Sequence, residues 1–291
     1  MANYNSYRYF RVTFPVEYVA HVEINRPEKM NSFLTGRMFE ELRHVFTQLS
    51  HDPAIRAVVL SGSGDRAFTA GLDVQEAAEM EGGLLSMSKP STGTANYFPD
   101  AGRIAVHLRR YVDDFQNCIS SIERCEKPVV AAMHGYALGL AIDLATAADV
   151  RVCTNSTQLA VKEVDIGMAA DMGTLSRLPK VVNHAGWVKE VAMTGRTFGA
   201  REALRVGLVN YAYETKAAMV QAALSLASLL ASKSPIAVQG IKEILNYSRD
   251  HPVQDGLRYT NIWNSSAVQA TDLQVAVLSG LQKKSPTFEK L

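Results

Sequence analysis

The sequence predicts an α/β protein with mainly parallel strands, followed by a helical C-terminal region. Three observations predict it. Short runs such as Ala57–Leu60 and Val129–Met133 are wholly apolar, as in strands buried on both faces. Segments with helical spacing alternate with these runs, the pattern of an α/β body. From Lys216 onward only helical spacing remains.

In chain order, residues 8–25 read as a hairpin: Ala20, Val22 and Ile24 alternate with His21 and Glu23, and Pro15 marks the turn before them. Met38, Leu42, Val45, Phe46 and Leu49 then share one face of a helix. The strand Ala57–Leu60 ends at Ser61-Gly62-Ser63-Gly64, and residues 67–73 (AFTAGLD) lead into a helical start. Residues 81–100, rich in Gly, Ser, Thr and Pro, predict a long loop of the kind that often closes over a site. A long amphipathic helix follows from about Ala101 to Arg124, ending before Lys127-Pro128, and then the strand Val129–Met133. Beyond Lys216 the spacing predicts a helix over Ala217–Ser232. Another opens at Ser234-Pro235, an N-cap with a first-turn proline, and one or two more lie within 252–283.

Apolar residues make up 47 % of the chain and charged residues 20 %, enough for a full hydrophobic core. A formal net charge of +1, without a run of Lys and Arg, argues against nucleic acid or an anionic membrane as the main partner. No apolar run approaches the ~20 residues of a membrane span. The N-terminus shows neither a signal-peptide core nor transit-peptide character. Cys118, Cys125 and Cys153 form no CxxC pair, and their odd number predicts free, buried thiols. With no HExxH and no His cluster, a metal site is not expected; with no GxSxG, neither is a serine hydrolase. Ala67 stands where a third Gly would complete a dinucleotide loop after Gly62-Ser63-Gly64, so that segment reads as a turn. The terminal Glu289-Lys290-Leu291 approximates the S-K-L peroxisomal address.

The candidate site is the stretch from His134 to Gly173. Asp143 lies inside an almost wholly apolar helix, where burial disfavours its charged form. It is either a working acid or a cap on a neighbouring backbone or partner of an Arg. Asp149, at the helix end, reads as structural. Glu163 sits in VKEVDIG; an extended backbone there would put Glu163 and Asp165 on one face and Lys162 on the other, and a surface ion pair with Lys162 or Arg151 is the plainer alternative for either acid. Asp171, among small and apolar residues before a helix, reads by itself as an N-cap. Gly71-Leu72 and Gly139-Leu140 each place a glycine ahead of a helical start, where free N–H groups suit a developing oxyanion.

Taken together, Asn25–Asn31 (NRPEKMN), Ala67–Asp73, Lys127-Pro128-Val129 and His134–Gly139 (HGYALG) resemble the crotonase, or enoyl-CoA hydratase/isomerase, superfamily from about residue 8 to the end. The resemblance implies a spiral of ββα units. Residues 1–205 would form the core with CoA and active site, and residues 206–291 a helical region for packing into a homotrimer or homohexamer. It implies an acyl-CoA thioester as substrate, with CoA part of the substrate and no separate cofactor. The family's oxyanion hole carries over to the N–H groups of Leu72 and Leu140, with Ala70, Gly71 and Gly139 beside them; Lys29 is either a contact for CoA phosphates or a solvated surface lysine. The chain departs from a common Gly-Gly-Gly run at Gly139-Leu140-Ala141, although a Leu keeps its main-chain N–H.

Residues 161–175, 233–240 and 247–251 resemble the Δ3,5-Δ2,4-dienoyl-CoA isomerase branch. Hydratases usually carry Glu where Asp143 stands and Gly where Asp171 stands. The resemblance implies Asp171 as base at C2 of a 3,5-dienoyl thioester, Glu163 as acid at C6, and Asp143 as their buried partner. The branch serves unsaturated fatty-acid oxidation, which agrees with peroxisomal import by a receptor for Glu289-Lys290-Leu291; the alternative is a mitochondrial or cytoplasmic location. The rival reading is an enoyl-CoA hydratase in which Asp143 and Glu163 hold a water. A non-catalytic scaffold or RNA binder ranks last, because all three acids are present and charge is balanced.

Overall fold

A computed structural model describes residues 4–34, 36–79 and 100–291. The loop expected over 81–100 lies, for residues 81–99, outside the described residues. The chain opens with β1 (Phe10–Val16) and β2 (Val19–Ile24), paired antiparallel. Pro15 lies inside β1 and does not make the turn, which falls at Glu17-Tyr18 with Tyr18 at φ 62°. The strand tolerates it because the register slips between Thr13 and Val16 and β1 is a sheet edge, where a missing N–H is harmless. Next come α1 (Arg37–His51), β3 (Ala57–Gly62), β4 (Ala67–Thr69), α2 (Val74–Glu79) and α3 (Ala101–Arg124). They are followed by β5 (Val129–Met133), β6 (Tyr136–Leu138), α4 (Leu140–Ala147), β7 (Val150–Thr154) and β8 (Gln158–Ala160). The chain continues through α5 (Thr174–Val181), α6 (Ala185–Thr194), β9 (Phe198–Gly199), α7 (Ala200–Arg205) and β10 (Tyr211–Tyr213). Four helices finish it: α8 (Lys216–Ala231), α9 (Pro235–Ser248), α10 (Val253–Ala267) and α11 (Thr271–Leu281).

The strands form a six-stranded sheet, β1-β2-β3-β5-β7-β10, and a four-stranded sheet, β4-β6-β8-β9. Each of the pairs β3/β4, β5/β6 and β7/β8 gives one strand to each sheet before a helix returns the chain, which makes the spiral of ββα units. From β2 to β10 the large sheet is parallel. Its strands are apolar on both faces: Val58, Leu60, Val129, Ala131 and Met133 face the main core, while Ala57, Val59, Val130, Ala132 and Val152 face α8 through Met219, Ala223 and Ala227. Residues after 206 thus supply an edge strand and the cover of one sheet face as well as helices. The helix α9 is tied to the body by Lys242, whose buried Nζ donates to Asp149 Oδ2 at 2.8 Å and to Lys127 O at 3.1 Å. Asp149 also accepts from Val129 N at 2.7 Å, the structural role expected of it. All three cysteines are free and buried.

The link from β3 to β4 is held by one fully buried side chain, Asn31. Its Nδ2 donates to Ser63 O at 2.9 Å and Ala67 O at 2.8 Å, and its Oδ1 accepts from Arg26 N at 2.9 Å. Its own φ is 55°, a left-handed conformation that Asn tolerates better than most residues. Arg26 in turn donates to Asp73 Oδ2 at 2.8 Å and to Ser32 O at 3.0 Å. These bonds fix both ends of the 70–73 turn. Asn31→Ala strands two buried carbonyls and one amide, and should lower stability by about 2–4 kcal/mol. A urea titration checks this as a lower midpoint with an unchanged slope.

Candidate active site

Two glycine turns meet at the junction of the sheets. Gly71 has φ +94°, and a Cβ there would come within 3.0 Å of Leu138 O and 3.8 Å of Leu140 N. Gly139, φ +54°, is the N-cap of α4. Phe33 bonds to both neighbours of Leu72, donating to Gly71 O at 2.8 Å and accepting from Asp73 N at 2.9 Å. Between two such bonds on one side, the Leu72 N–H faces the other side, where Leu72 lines a pocket. Leu140 is the first residue of α4, so its N–H lacks an intrahelical acceptor and lies at the positive end of the helix dipole.

The pocket, about 120 Å³, is lined by Ala70, Gly71, Leu72, Gly139 and Leu140 on one side. Asp143, Glu163 and Asp171 line it as well, with Val74, Ile166, Met168 and Met172 as apolar walls. Residues distant in sequence are thereby gathered in one place. Lys29 is not among them; it is exposed at the end of the single turn Pro27–Lys29, within electrostatic range of Asp73.

The three acids are held differently. Asp143, 1 % exposed, accepts from Thr174 N at 2.6 Å through Oδ1, so the capping alternative describes its geometry: a side chain of α4 caps α5. Asp171 does not cap α5, whose N-cap is Gly173. Asp143 holds the first amide of that helix, and Asp171, two residues before the N-cap, lines the pocket. The segment Glu163–Ile166 is a single 3-10 turn and is not extended. Bonds Asp165 N to Lys162 O at 3.0 Å and Gly167 N to Val164 O at 3.0 Å close it. This separates the two acids that an extended strand would have aligned. Asp165 turns outward to an ion pair with Lys162 at 2.8 Å, and Glu163 turns inward, its Oε2 buried without a hydrogen-bond partner among the described residues. Arg151 is no partner for either, being buried against the carbonyls of Leu208, Ala145 and Ala148.

Burial raises all three carboxyl pKa values. Asp143 is pushed up to about 7, first by loss of solvent and then by the charge of Glu163, with the Thr174 bond opposing. Glu163 is raised by burial and by Asp171, against its local amides, and Asp171 by burial. Three acids that disfavour simultaneous charge can hold different protonation states near neutrality, which is what proton transfer between two positions requires. Residues that sequence reasoning did not single out complete the site: the brace Arg26–Asn31–Asp73, and the apolar walls Ile166, Met168 and Met172. The brace sits within motifs already distinctive in the sequence; the walls carry no signal beyond flanking the acids.

The sequence model of the enoyl-CoA hydratase/isomerase family matches residues 19–234. The mitochondrial Δ(3,5)-Δ(2,4)-dienoyl-CoA isomerase of Mus musculus is 42 % identical over 290 residues, covering 99 % of this chain and 84 % of that protein. The peroxisomal Δ(3,5)-Δ(2,4)-dienoyl-CoA isomerase of Arabidopsis thaliana is 37 % identical, covering 94 % of this chain and 93 % of its own. Among solved structures, an enoyl-CoA hydratase from Bacillus anthracis superposes with a TM-score of 0.84 at 26 % identity, over 97 % of this chain and 99 % of that one. With its ββα spiral, paired glycine turns and the extent of these matches, the chain belongs to the enoyl-CoA hydratase/isomerase family.

Proposed function

We propose that this protein is a Δ3,5-Δ2,4-dienoyl-CoA isomerase. The observation that carries the reading is Asp171, a third carboxylate on the same pocket as Glu163 and the Leu72 and Leu140 amides. Water activation by Asp143 and Glu163 would leave Asp171 without a task. The relatives named for this isomerase, 37 % and 42 % identical over nearly the whole chain, support it.

The thioester oxygen accepts from the Leu72 and Leu140 N–H groups. Each such donor is worth about 10²–10³ in rate, because it meets charge that develops only as the enolate forms. Asp171 takes the proton from C2, and the electron pair spreads through the conjugated chain to C4 and C6. Glu163 gives its proton to C6, so the C3 and C5 double bonds become C2 and C4 double bonds. Asp143 touches neither carbon; it ties α4 to the turn that carries Asp171 and is itself held protonated by burial and by the charge of Glu163. The walls Leu72, Val74, Ile166, Met168 and Met172 offer apolar contacts to the acyl chain, which would displace water as it binds and so disfavour hydration. Lys29 would meet CoA phosphates outside the pocket.

Exposed apolar residues on the last three helices, among them Leu245, Leu257, Ile262, Leu273 and Val277, support assembly into a homotrimer or homohexamer. The relative in mouse is named mitochondrial and that in Arabidopsis peroxisomal. Peroxisomal delivery through Glu289-Lys290-Leu291, all three exposed, belongs to the same reading. Among the described residues no helix is long and apolar enough to cross a membrane.

Purified protein given a 3,5-dienoyl-CoA should generate 2,4-dienoyl absorbance, and Asp171→Asn should lower the rate by about 10²–10⁴ with the fold retained by circular dichroism. An unchanged rate in that variant rejects Asp171 as base, and efficient hydration of a 2-enoyl-CoA without isomerisation rejects the reaction. The pH–rate profile should be bell-shaped. Activity falls on the acid side as Asp171 protonates, above the ordinary aspartate value of about 3.9, and on the alkaline side as Glu163 loses its proton. Stability offers a separate check. The folded protein binds a proton at Asp143 up to about pH 7, the unfolded chain only to about 3.9, so stability falls as pH rises through that window. Asp143→Asn keeps an acceptor for Thr174 N and should exceed the parent by upward of about 1 kcal/mol at pH 8 and match it at pH 4, measured by urea unfolding.

A further inference from the structure

A second set of charges lies beneath the turn that carries Asp171. Gln116, Ser120 and Glu123 share one face of α3. Gln116 Nε2 donates to Asp171 O at 2.5 Å. Arg177, in the first turns of α5, donates from Nη2 to Ser120 Oγ at 2.8 Å, and from Nη2 and Nε to Glu123 Oε2 at 2.9 and 3.2 Å. The other oxygen of Glu123 accepts from Arg249 Nη1 at 2.6 Å. The triad is largely enclosed, with side-chain exposures of 11 % for Arg177, 17 % for Glu123 and 27 % for Arg249.

Burial would raise the Glu123 carboxyl, but its bonds to Arg177 and Arg249 hold it below the usual glutamate range; stability need not be the whole reason for such a triad. Desolvating three charges can cost more than their attraction returns, and apolar replacements of similar volume are often neutral or better. Arg177 is placed worse still, because its guanidinium folds back toward the N-terminus of α5, where the helix dipole disfavours a cation. What the arrangement does achieve is local. The guanidinium lies so close over Gly173 that a Cβ at that position would overlap Arg177 Nη1. The next residue, Thr174, donates the amide that holds Asp143. The turn is therefore gripped at Asp171 O by Gln116, at Gly173 by Arg177, and at Thr174 N by Asp143.

We propose that Arg177, held by Ser120 and Glu123, is a positioning residue that fixes the 171–174 turn so that the Asp171 carboxyl and the Asp143–Thr174 bond keep their register with Glu163. The inference rests on the isomerase reading for its kinetic consequences only. The charged groups acting on Asp143 are Glu163 and, from α5, Arg177; Lys162 and Asp171 line the same pocket, and Arg177 is itself paired with Glu123 of α3, which also holds Arg249 at the C-cap of α9. Arg177 is the cation that acts on Asp143 and lowers its proton affinity.

The full-length protein tests this through Arg177→Met, Arg177→Lys and Glu123→Gln. Arg177→Met should lower kcat for the 3,5-dienoyl-CoA by about 10–100-fold with KM within about twofold, since a small misplacement of a reacting group is enough for such a loss. Arg177→Lys should recover only part of it, because an ammonium cannot reproduce the paired donors. Glu123→Gln should give a smaller loss, and adding it to Arg177→Met should cost little more than Arg177→Met alone. Carboxyl titration of Asp143, followed by carbon-13 NMR, reads the same coupling without turnover: its midpoint should rise in Arg177→Met. Folded variants that lose only stability, with kcat and the Asp143 midpoint as in the parent, overturn the proposal. If Arg177→Met does not fold, Glu123→Gln carries the same two readouts. If the parent itself converts no 3,5-dienoyl-CoA, the isomerase reading fails, and the Asp143 midpoint alone decides whether Arg177 governs the turn.

Discussion

A single hydrogen bond, from the Thr174 amide to the buried Asp143 carboxyl at 2.6 Å, joins the two halves of the site. On one side stands α4, whose first residue, Leu140, lines the pocket; on the other stands the turn bearing Asp171. A helix N-terminus normally satisfies its free amides with its own N-cap side chain. Here Gly173 offers none, and a side chain from another helix takes the duty. The consequence is geometric. Asp171 lies two residues before the N-cap and lines the pocket, and the bond between α4 and α5 sets the spacing between the acids by helix packing.

That arrangement carries a price in stability. Asp143 is wholly enclosed, next to Glu163, with a carboxyl pushed up to about 7. A carboxyl so placed favours its neutral form; burial likewise raises Glu163 and Asp171, with the charge of Asp171 adding to the rise at Glu163. This destabilises the protein at neutral pH, yet it raises the proton affinity of all three carboxyls above the ordinary carboxylate range. Glu163 Oε2, buried without a partner among the described residues, shows the same logic in one atom. An unsatisfied buried oxygen is tolerated where it has a ligand to meet.

The spiral fold explains how distant segments come together. Each ββα turn ends near the junction of the two sheets, so the 70–73 turn after β4, the 139–140 turn after β6 and the 163–166 turn after β8 stack at one corner. The brace from Asn31 to Ser63 and Ala67, with Arg26 on Asp73, secures the first of these turns. Gly139 N bonding to Ala160 O at 2.9 Å ties the second to the third. The acids then need only modest side-chain reach to share a pocket.

Periodicity and apolar runs were enough, from the sequence alone, to read the long helix Ala101–Arg124, the face of α1 and the buried strands Ala57–Leu60 and Val129–Met133, because these depend on local spacing and on burial of whole faces. The glycine turns and the acids stood out for the same reason: Gly before a helix and Asp within an apolar helix are local anomalies. Tertiary structure decided where each acid lies and what holds it. Whether Asp143 or Asp171 would cap a helix depended on a contact across thirty-one residues. The inward turn of Glu163 depended on a 3-10 turn closed by short-range bonds that compete evenly with an extended strand in any local reading. Pro15 gave the opposite lesson, since a proline that locally signals a turn is accommodated in a strand once that strand lies at a sheet edge. The brace and the Arg177–Glu123–Arg249 triad join elements far apart in the chain, and such pairings leave no periodic trace, because charge on a helix face looks the same whether water or another helix lies opposite.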